Sequence, residues 1–258
     1  MRDTASHDAP HAAPLDDGAL LAPLDDGALL ALWERALHAG AWQREDLLVD
    51  AASAGRPAQA PRTPGARNVA LLRWRRAFAG RALPLRASCP RCAGELDLVL
   101  DTDTLCDAHR DAPADGVACE AAGRRIELRA PTIDDLRELS ARHADVDTLA
   151  EALLRRCVVS HDGAAPFDAT QRGTIAMRLE ALDPCARLDI ALACPDCGHA
   201  WSTALDVAAV LWAELRRRAE QLLVDIATLA REYGWSEREL LRMSPARRAA
   251  YLQLAGAA

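Results

Sequence analysis

The sequence predicts an α+β fold, mostly helical, built around two cysteine knuckles. Apolar residues recur every three or four positions through both ends of the chain, the period of a helix with one buried face. Shorter stretches in the middle alternate instead, as half-buried strands do. Two C-x-x-C pairs, Cys89/Cys92 and Cys194/Cys197, stand in matching surroundings far apart in the chain.

The 258 residues are 50% apolar, 27% charged and 4% aromatic, enough apolar material for one large domain or two small ones. All 31 basic residues are Arg, and the only Asn is Asn68. With the abundance of Ala, this usage fits a GC-rich coding sequence and carries no functional information. A net charge of −7 disfavours gripping nucleic acid by bulk charge. No apolar run approaches a membrane span, and residues 1–15 lack the layout of a signal peptide, so a cytoplasmic protein is expected. Eight Cys are too sparse for a disulfide scaffold, and a reducing compartment keeps them as thiols.

The first 14 residues, rich in Ala, His, Pro and Asp, are expected to be disordered. Residues 13–21, APLDDGALL, recur letter for letter as 22–30; one such duplication fits slippage better than a solenoid, which needs several units. Asp25 and Asp26 then cap a helix with Leu29, Leu32, Trp33, Ala36 and Leu37 on one face and Gly40 at its end. A second helix, over 43–52, places Glu45 and Asp46 in its first turn, where the dipole favours anions. Pro57, Pro61 and Pro64 mark a loop. A third helix, over 66–79, has Ala70, Leu71, Trp74, Ala77 and Phe78 on one face and Gly80 as terminator; Arg73, Arg75 and Arg76 read as a solvated face, with a specific acidic partner as the alternative.

In the middle, 95–101 alternates as a strand, and 117–120 with 125–130 flank Gly123 as a hairpin. Thr132 and Asp135 resemble a capping box for the helix that Pro131 introduces. Val146, Leu149, Ala150, Leu153, Leu154, Cys157 and Val158 form an amphipathic stripe, and a further helix over 170–182 stops at Pro184. From 206 to 233, Ala208, Leu211, Leu215, Ala219, Leu222, Ile226, Leu229 and Tyr233 make a seam for a neighbouring helix, in this chain or another. Gly234 ends it, Ser236 and Glu239 cap a short helix, and Ser244-Pro245 starts the last.

Aligned on their cysteines, residues 85–101 (LRASCPRCAGELDLVLD) and 190–206 (IALACPDCGHAWSTALD) share an apolar start, C-P-x-C and a closing Leu-Asp. Each reads as strand, knuckle, strand, then an Asp placed to cap the next element. A C-x-x-C turn lets two thiolates reach one ion about 2.3 Å away while turn amides support the sulfurs. Ala93-Gly94 and Gly198 suit so tight a turn. Two knuckles supply four thiolates, the closed set of structural zinc, worth on the order of 10 kcal/mol of folding energy in small peptides. The metal ligands are therefore expected to be Cys89, Cys92, Cys194 and Cys197, holding structural Zn2+.

Ordinary ribbons separate their pairs by about 15–20 residues, whereas residues 93–193 intervene here. The reading is a four-cysteine zinc ribbon at the centre with an inserted α+β subdomain and flanking helices. Its parts are a disordered or partly helical segment 1–24, a helical region 25–84, a split ribbon 85–206 with knuckles 89–92 and 194–197 and insert 102–189, and a helical region 207–258. A competing ligand set uses Cys106 and His109, with Cys119 as a third member. Thioredoxin-like redox chemistry is weaker, because such motifs open a helix and these precede strands. His199 reads as a surface residue or a donor behind Cys197, and Cys157 as a core thiol; Cys185 has no account. No G-x-x-x-x-G-K-S/T, G-x-S-x-G or H-E-x-x-H occurs, so no catalytic residue or small-molecule site is nominated.

Four stretches together resemble the T4-like phage baseplate hub assembly chaperone family, found also in contractile-tail and injection-system gene clusters. They are LLALWERAL (29–37), GARNVALLRWRRAFAG (65–80), the CPRC and CPDCGHAW knuckles, and LWAELRRRAEQLLVDIATLAREYGWSERELLRMSPARRAAYLQL (211–254), roughly half of the chain. The last is the most telling. The duplicated nonapeptide and residues 106–115 match no pattern of that family. The resemblance implies a non-enzymatic factor for building a baseplate or its hub, cytoplasmic or incorporated in a phage-like particle, with baseplate or hub proteins as partners and a metal-stapled body. Only Cys89, Cys92, Cys194 and Cys197 carry over. The alternative is a zinc-ribbon nucleic-acid-binding or regulatory protein that uses Arg242, Arg247 and Arg248, against which the net acidity stands.

Overall fold

The Asp25 carboxylate accepts the Ala28 amide at 2.7 Å and so starts α1 (Asp26–Leu37), which buries Leu29, Leu30, Leu32 and Ala36. The computed structural model describes residues 24–53, 61–110, 116–142, 145–163 and 166–256. The expectations for residues 1–14, for the first nonapeptide copy and for Pro57 lie outside them. Next, α2 (Ala41–Ala52) follows Gly40 directly, which moves Glu45 and Asp46 out of the first turn expected for them. Both accept from Arg67 instead, at 2.6 and 2.8 Å. Arg67 belongs to α3 (Pro64–Ala79), capped by Thr63 with Pro64 in the first turn.

The solvated face expected of α3 is corrected at Arg75, where the alternative of an acidic partner holds. This side chain is buried and makes two hydrogen bonds to Glu214, at 2.8 and 2.9 Å. Helical periodicity assumes one covered face, but α3 packs against α2 on one flank and two further helices elsewhere, leaving little of it to water. Arg76 stays exposed and pairs with Asp103 at 2.7 Å.

Two antiparallel strands, β1 (Ala82–Ser88) and β2 (Glu95–Asp101), pair from Ala82↔Asp101 to Ser88↔Glu95. After them α4 (Thr102–Arg110) returns against α3. A three-stranded antiparallel sheet comes next: β3 (Val117–Ala121), β4 (Arg124–Leu128) and, beyond α5 (Ile133–Arg142) and α6 (Val146–Cys157), β5 (Val158–His161), in the order β3-β4-β5. Then α7 (Ala169–Leu182), opened by an Asp168–Gln171 capping box, packs on β3 and β4. Cys119, Ala121, Ile126, Leu128, Leu154, Ile175 and Leu182 form the core of this part. The stripe expected over 146–158 is shorter than its period implies: on α6 only Leu154 and Cys157 are buried, and Val146 is 75% exposed. The β-branched Val158 and Val159 leave the helix and form β5.

A second hairpin, β6 (Asp189–Ala193) and β7 (Ala200–Ala204), pairs from Asp189↔Ala204 to Ala193↔Ala200. Asp206 accepts the Ala209 amide at 2.9 Å and opens α8 (Val207–Tyr233), as Asp101 accepts the Asp103 amide at 2.8 Å after the first hairpin. The seam of α8 is satisfied within the chain: Leu211, Leu215, Ala219, Leu222, Ile226 and Leu229 are buried among α1, α3 and α10 (Pro245–Gly256). Gly234 adopts φ 70° to end α8, and Ser236 and Glu239 make the expected capping box of α9 (Glu237–Leu241). Arg248 of α10 is buried against Asp26 at 2.6 Å, tying the last helix to the first described one.

The architecture is the mostly helical α+β fold that the sequence predicts, with the cysteine knuckles at the turns of two two-stranded hairpins. It has two cores. The larger is drawn from α1–α4, the hairpins and α8–α10; the smaller lies between Val117 and Leu182. Polar contacts join them. Asp46 pairs with Arg137 of α5 at 2.6 Å, and the Ile133 amide donates to the Arg62 carbonyl at 2.8 Å. The buried Asp183 carboxylate accepts from the Gly65 amide at 2.8 Å and the Thr63 hydroxyl at 3.0 Å. Gly65 permits that approach: a Cβ there would lie 2.2 Å from Asp183 Oδ1 and 2.7 Å from the Ala186 nitrogen. Gly65→Ala is expected to lower the unfolding free energy by about 1–3 kcal/mol, the usual cost of overpacking, measured by urea denaturation; unchanged stability would show that this contact is not tight in solution.

Candidate metal centre

Each knuckle is a turn tied by the same two backbone hydrogen bonds. The Cys89 amide donates to the Gly94 carbonyl at 2.8 Å and the Ala93 amide to the Cys89 carbonyl at 2.9 Å. In the second knuckle, Cys194 donates to His199 at 2.8 Å and Gly198 to Cys194 at 3.0 Å. The residue after the second cysteine is left-handed in both, with φ 57° at Ala93 and 68° at Gly198. The turns meet closely, since a Cβ on Gly94 would come within 2.6 Å of Asp196 Oδ2.

Cys89, Cys92, Cys194 and Cys197 converge, with all four sulfurs within 4.8 Å of one another. Cys89 Sγ lies 3.7 Å from Cys197 Sγ, and Cys92 Sγ lies 3.6 Å from Cys194 Sγ. A regular tetrahedron of sulfurs about 2.3 Å from an ion has edges of about 3.8 Å. The two cross-hairpin spacings therefore fit the four-sulfur shell of a metal ion. Cys89 and Cys194 are buried, Cys197 is half-buried and Cys92 is exposed. This group is the one among the described residues that can hold an ion with three or more His, Cys, Asp or Glu ligands.

Backbone amides and neighbouring sulfurs shift the thiols of Cys89, Cys92 and Cys197 in different directions. Burial pushes Cys89 up, yet the Cys92 and Arg91 amides and the neighbouring thiols outweigh it and bring the group down to about 7. At Cys92 the Gly94 amide favours the thiolate, but hydrogen bonds with Cys197 and Cys194 prevail and push it up to about 12. Cys197 is also raised: the His199 amide favours its thiolate, and burial with the contacts to Cys194 and Cys89 prevails. Four thiolates this close repel one another, and a divalent ion at their centre would offset that charge.

No protein-family model, curated protein or solved structure matches this chain.

The competing ligand set is not brought together. Cys106 sits in the larger core and Cys119 in the smaller one. The Nδ1 of His109 is buried without a hydrogen-bond partner. Burial pushes Cys106 and Cys157 up to about 11 and also raises Cys185, so these remain protonated core thiols. Cys185, for which the sequence offered no role, donates to the Leu105 carbonyl at 3.5 Å. The His199 ring stacks on Trp201 with centroids 6.0 Å apart; its backbone, which donates to Cys197 and accepts from Cys194, is what supports the knuckle. Beside the centre, a groove of about 300 Å³ separates the hairpins from the start of α8, lined chiefly by Leu85, Leu98, Ile190, Leu192, Trp201 and Val210. Trp201 is legible in the sequence only as the apolar residue four past Cys197, and nothing in its spacing distinguishes a groove wall from a core residue.

Cys194→Ser is expected to remove bound metal and lower soluble yield, since an incomplete thiolate set binds far less tightly; Cys157→Ser should keep the metal and cost an ordinary core penalty of about 1–3 kcal/mol. Elemental analysis and thermal melts of both variants check this, and full metal content in Cys194→Ser would overturn the ligand set. The backbone of Ala93 gives a second expectation. Left-handed φ at a residue with a Cβ is costly, whereas Gly198 meets the same demand without strain. Ala93→Gly should therefore raise stability by up to about 1 kcal/mol without altering metal content, read from urea midpoints.

Proposed function

We propose that the chain is a non-enzymatic assembly factor or structural component of a contractile-tail baseplate, in a phage or phage-like injection system, with its body stapled by structural zinc. The observation that carries this reading is the convergence of four sulfurs from two remote hairpins. Four thiolates favour zinc or iron, and a set of four fills the tetrahedral shell. An ion so enclosed has no open position for a substrate, which favours a scaffold over a reaction centre.

The resembling stretches support the choice of system. Residues 29–37 lie in α1, residues 65–80 in α3 and its terminator, and residues 211–254 in α8–α10, all of the larger core. Partners are then baseplate or hub proteins of the tail. The nucleic-acid alternative draws less support, because Arg248 is committed to Asp26 and Arg247 lies over the Tyr251 ring. No helix among the described residues is long and apolar enough to cross a membrane.

The test is deletion of the gene from its own cluster, with affinity purification of the tagged full chain. Loss of sheathed particles and recovery of tail proteins with the tagged chain are expected. Normal particles from the deletion strain would overturn the proposal, and salt-dependent binding to DNA or RNA near physiological ionic strength would favour the alternative.

A further inference from the structure

Within the cluster of four sulfurs, two contacts cross between the hairpins at 3.6 and 3.7 Å, and each joins an accessible sulfur to a buried one. Exposed Cys92 lies 3.6 Å from buried Cys194, and half-buried Cys197 lies 3.7 Å from buried Cys89. An oxidant arriving from solvent meets Cys92 and Cys197 first. In each of these two contacts a buried sulfur of the other hairpin stands within reach to resolve the product.

We propose that the centre is also an oxidation site, at which a peroxide converts the four thiolates into two cross-hairpin disulfides, Cys92–Cys194 and Cys89–Cys197. The inference rests on the metal reading above and extends it: the ion is expelled, yet the hairpins stay joined, by covalent bonds in place of coordination. The chemistry is ordinary thiolate oxidation. The accessible thiolate attacks one peroxide oxygen; an S–O bond forms, the O–O bond breaks and hydroxide leaves. The buried thiolate then attacks the sulfenyl sulfur; the S–S bond forms, the S–O bond breaks and a second hydroxide leaves. Each peroxide accepts two electrons. Two peroxides thus consume four thiolates, giving two disulfides, one divalent ion and four hydroxides, which the buffer protonates to water.

The arrangement differs from an ordinary C-x-x-C couple, in which both sulfurs belong to one turn. Disulfides within Cys89/Cys92 and Cys194/Cys197 would leave the hairpins without a link. Cys106, Cys119, Cys157 and Cys185 are all buried and lie outside the cluster, so they are expected to stay reduced while the centre reacts.

The experiment uses the reduced full chain loaded with zinc and titrated with hydrogen peroxide. A chromogenic chelator follows metal release, and alkylation with non-reducing peptide mapping identifies the bonds. The expected result is release of one zinc per chain by two equivalents of peroxide, with Cys92–Cys194 and Cys89–Cys197 recovered as the linked peptides. Bonds within either C-x-x-C motif, links between chains, or sulfinic acids in place of disulfides would overturn the proposal. A reduced chain that takes up no zinc would defeat the metal reading instead, and the same mapping on that metal-free chain would still decide which sulfurs pair.

Discussion

Four sulfur atoms meet from two turns separated by residues 93–193, and both turns sit on hairpins that pack against the larger core. Each turn hangs on a two-stranded hairpin, and a strand pair of that size is marginal by itself in water. The hairpins gain support from Leu83, Leu85 and Leu100 on one side and Leu188 and Leu205 on the other, all packed against the larger core. Where the hairpins end, Asp101 and Asp206 receive the amides that start α4 and α8. An ion held at the knuckles would fix the far ends of two hairpins whose near ends are set by helix packing.

Charge does much of the alignment that aromatic packing does in other proteins. With only 4% aromatic residues, the chain places Arg75 against Glu214, Arg248 against Asp26, and Arg67 against Glu45 and Asp46, all with the guanidinium side buried. Buried pairs are poor sources of net stability because both charges lose water, but a misplaced partner leaves an uncompensated charge and is strongly disfavoured. They act as pins: α3 can meet α8, and α10 can meet α1, in few other registers. The contacts between the cores are of the same kind, through Arg137 to Asp46 and Asp183 to the start of α3. In the smaller core, Asp135 is held well below the usual carboxylate range, first by its hydrogen bond from Arg129, against the cost of burial, and then by Thr132 and Arg156.

Local signals in the sequence are reliable where a single residue performs the task. Asp25, Gly234 and the Ser236–Glu239 pair mark helix ends that the structure reproduces, and the register of 95–101 follows from alternation alone. The four sulfurs are legible because two copies of one pattern recur, although nothing local states that they meet. Features that depend on a third element are hidden. Arg75 reads as solvated until α8 covers it, and Gly65 looks like an ordinary helix start until Asp183 arrives from 118 residues away. The stripe through 146–158 extends past its helix because Val158 and Val159 satisfy an apolar period and a strand equally well. Asp196, the neighbour that restricts Gly94, could not be inferred from spacing, since it approaches from the opposite knuckle.

The central claim is that one ion is enclosed by sulfur alone. X-ray absorption at the metal edge of the purified, reduced protein tests it most directly. The account predicts a single shell of four sulfur neighbours at about 2.3 Å. A shell containing nitrogen or oxygen neighbours, or fewer than four sulfurs, would contradict it.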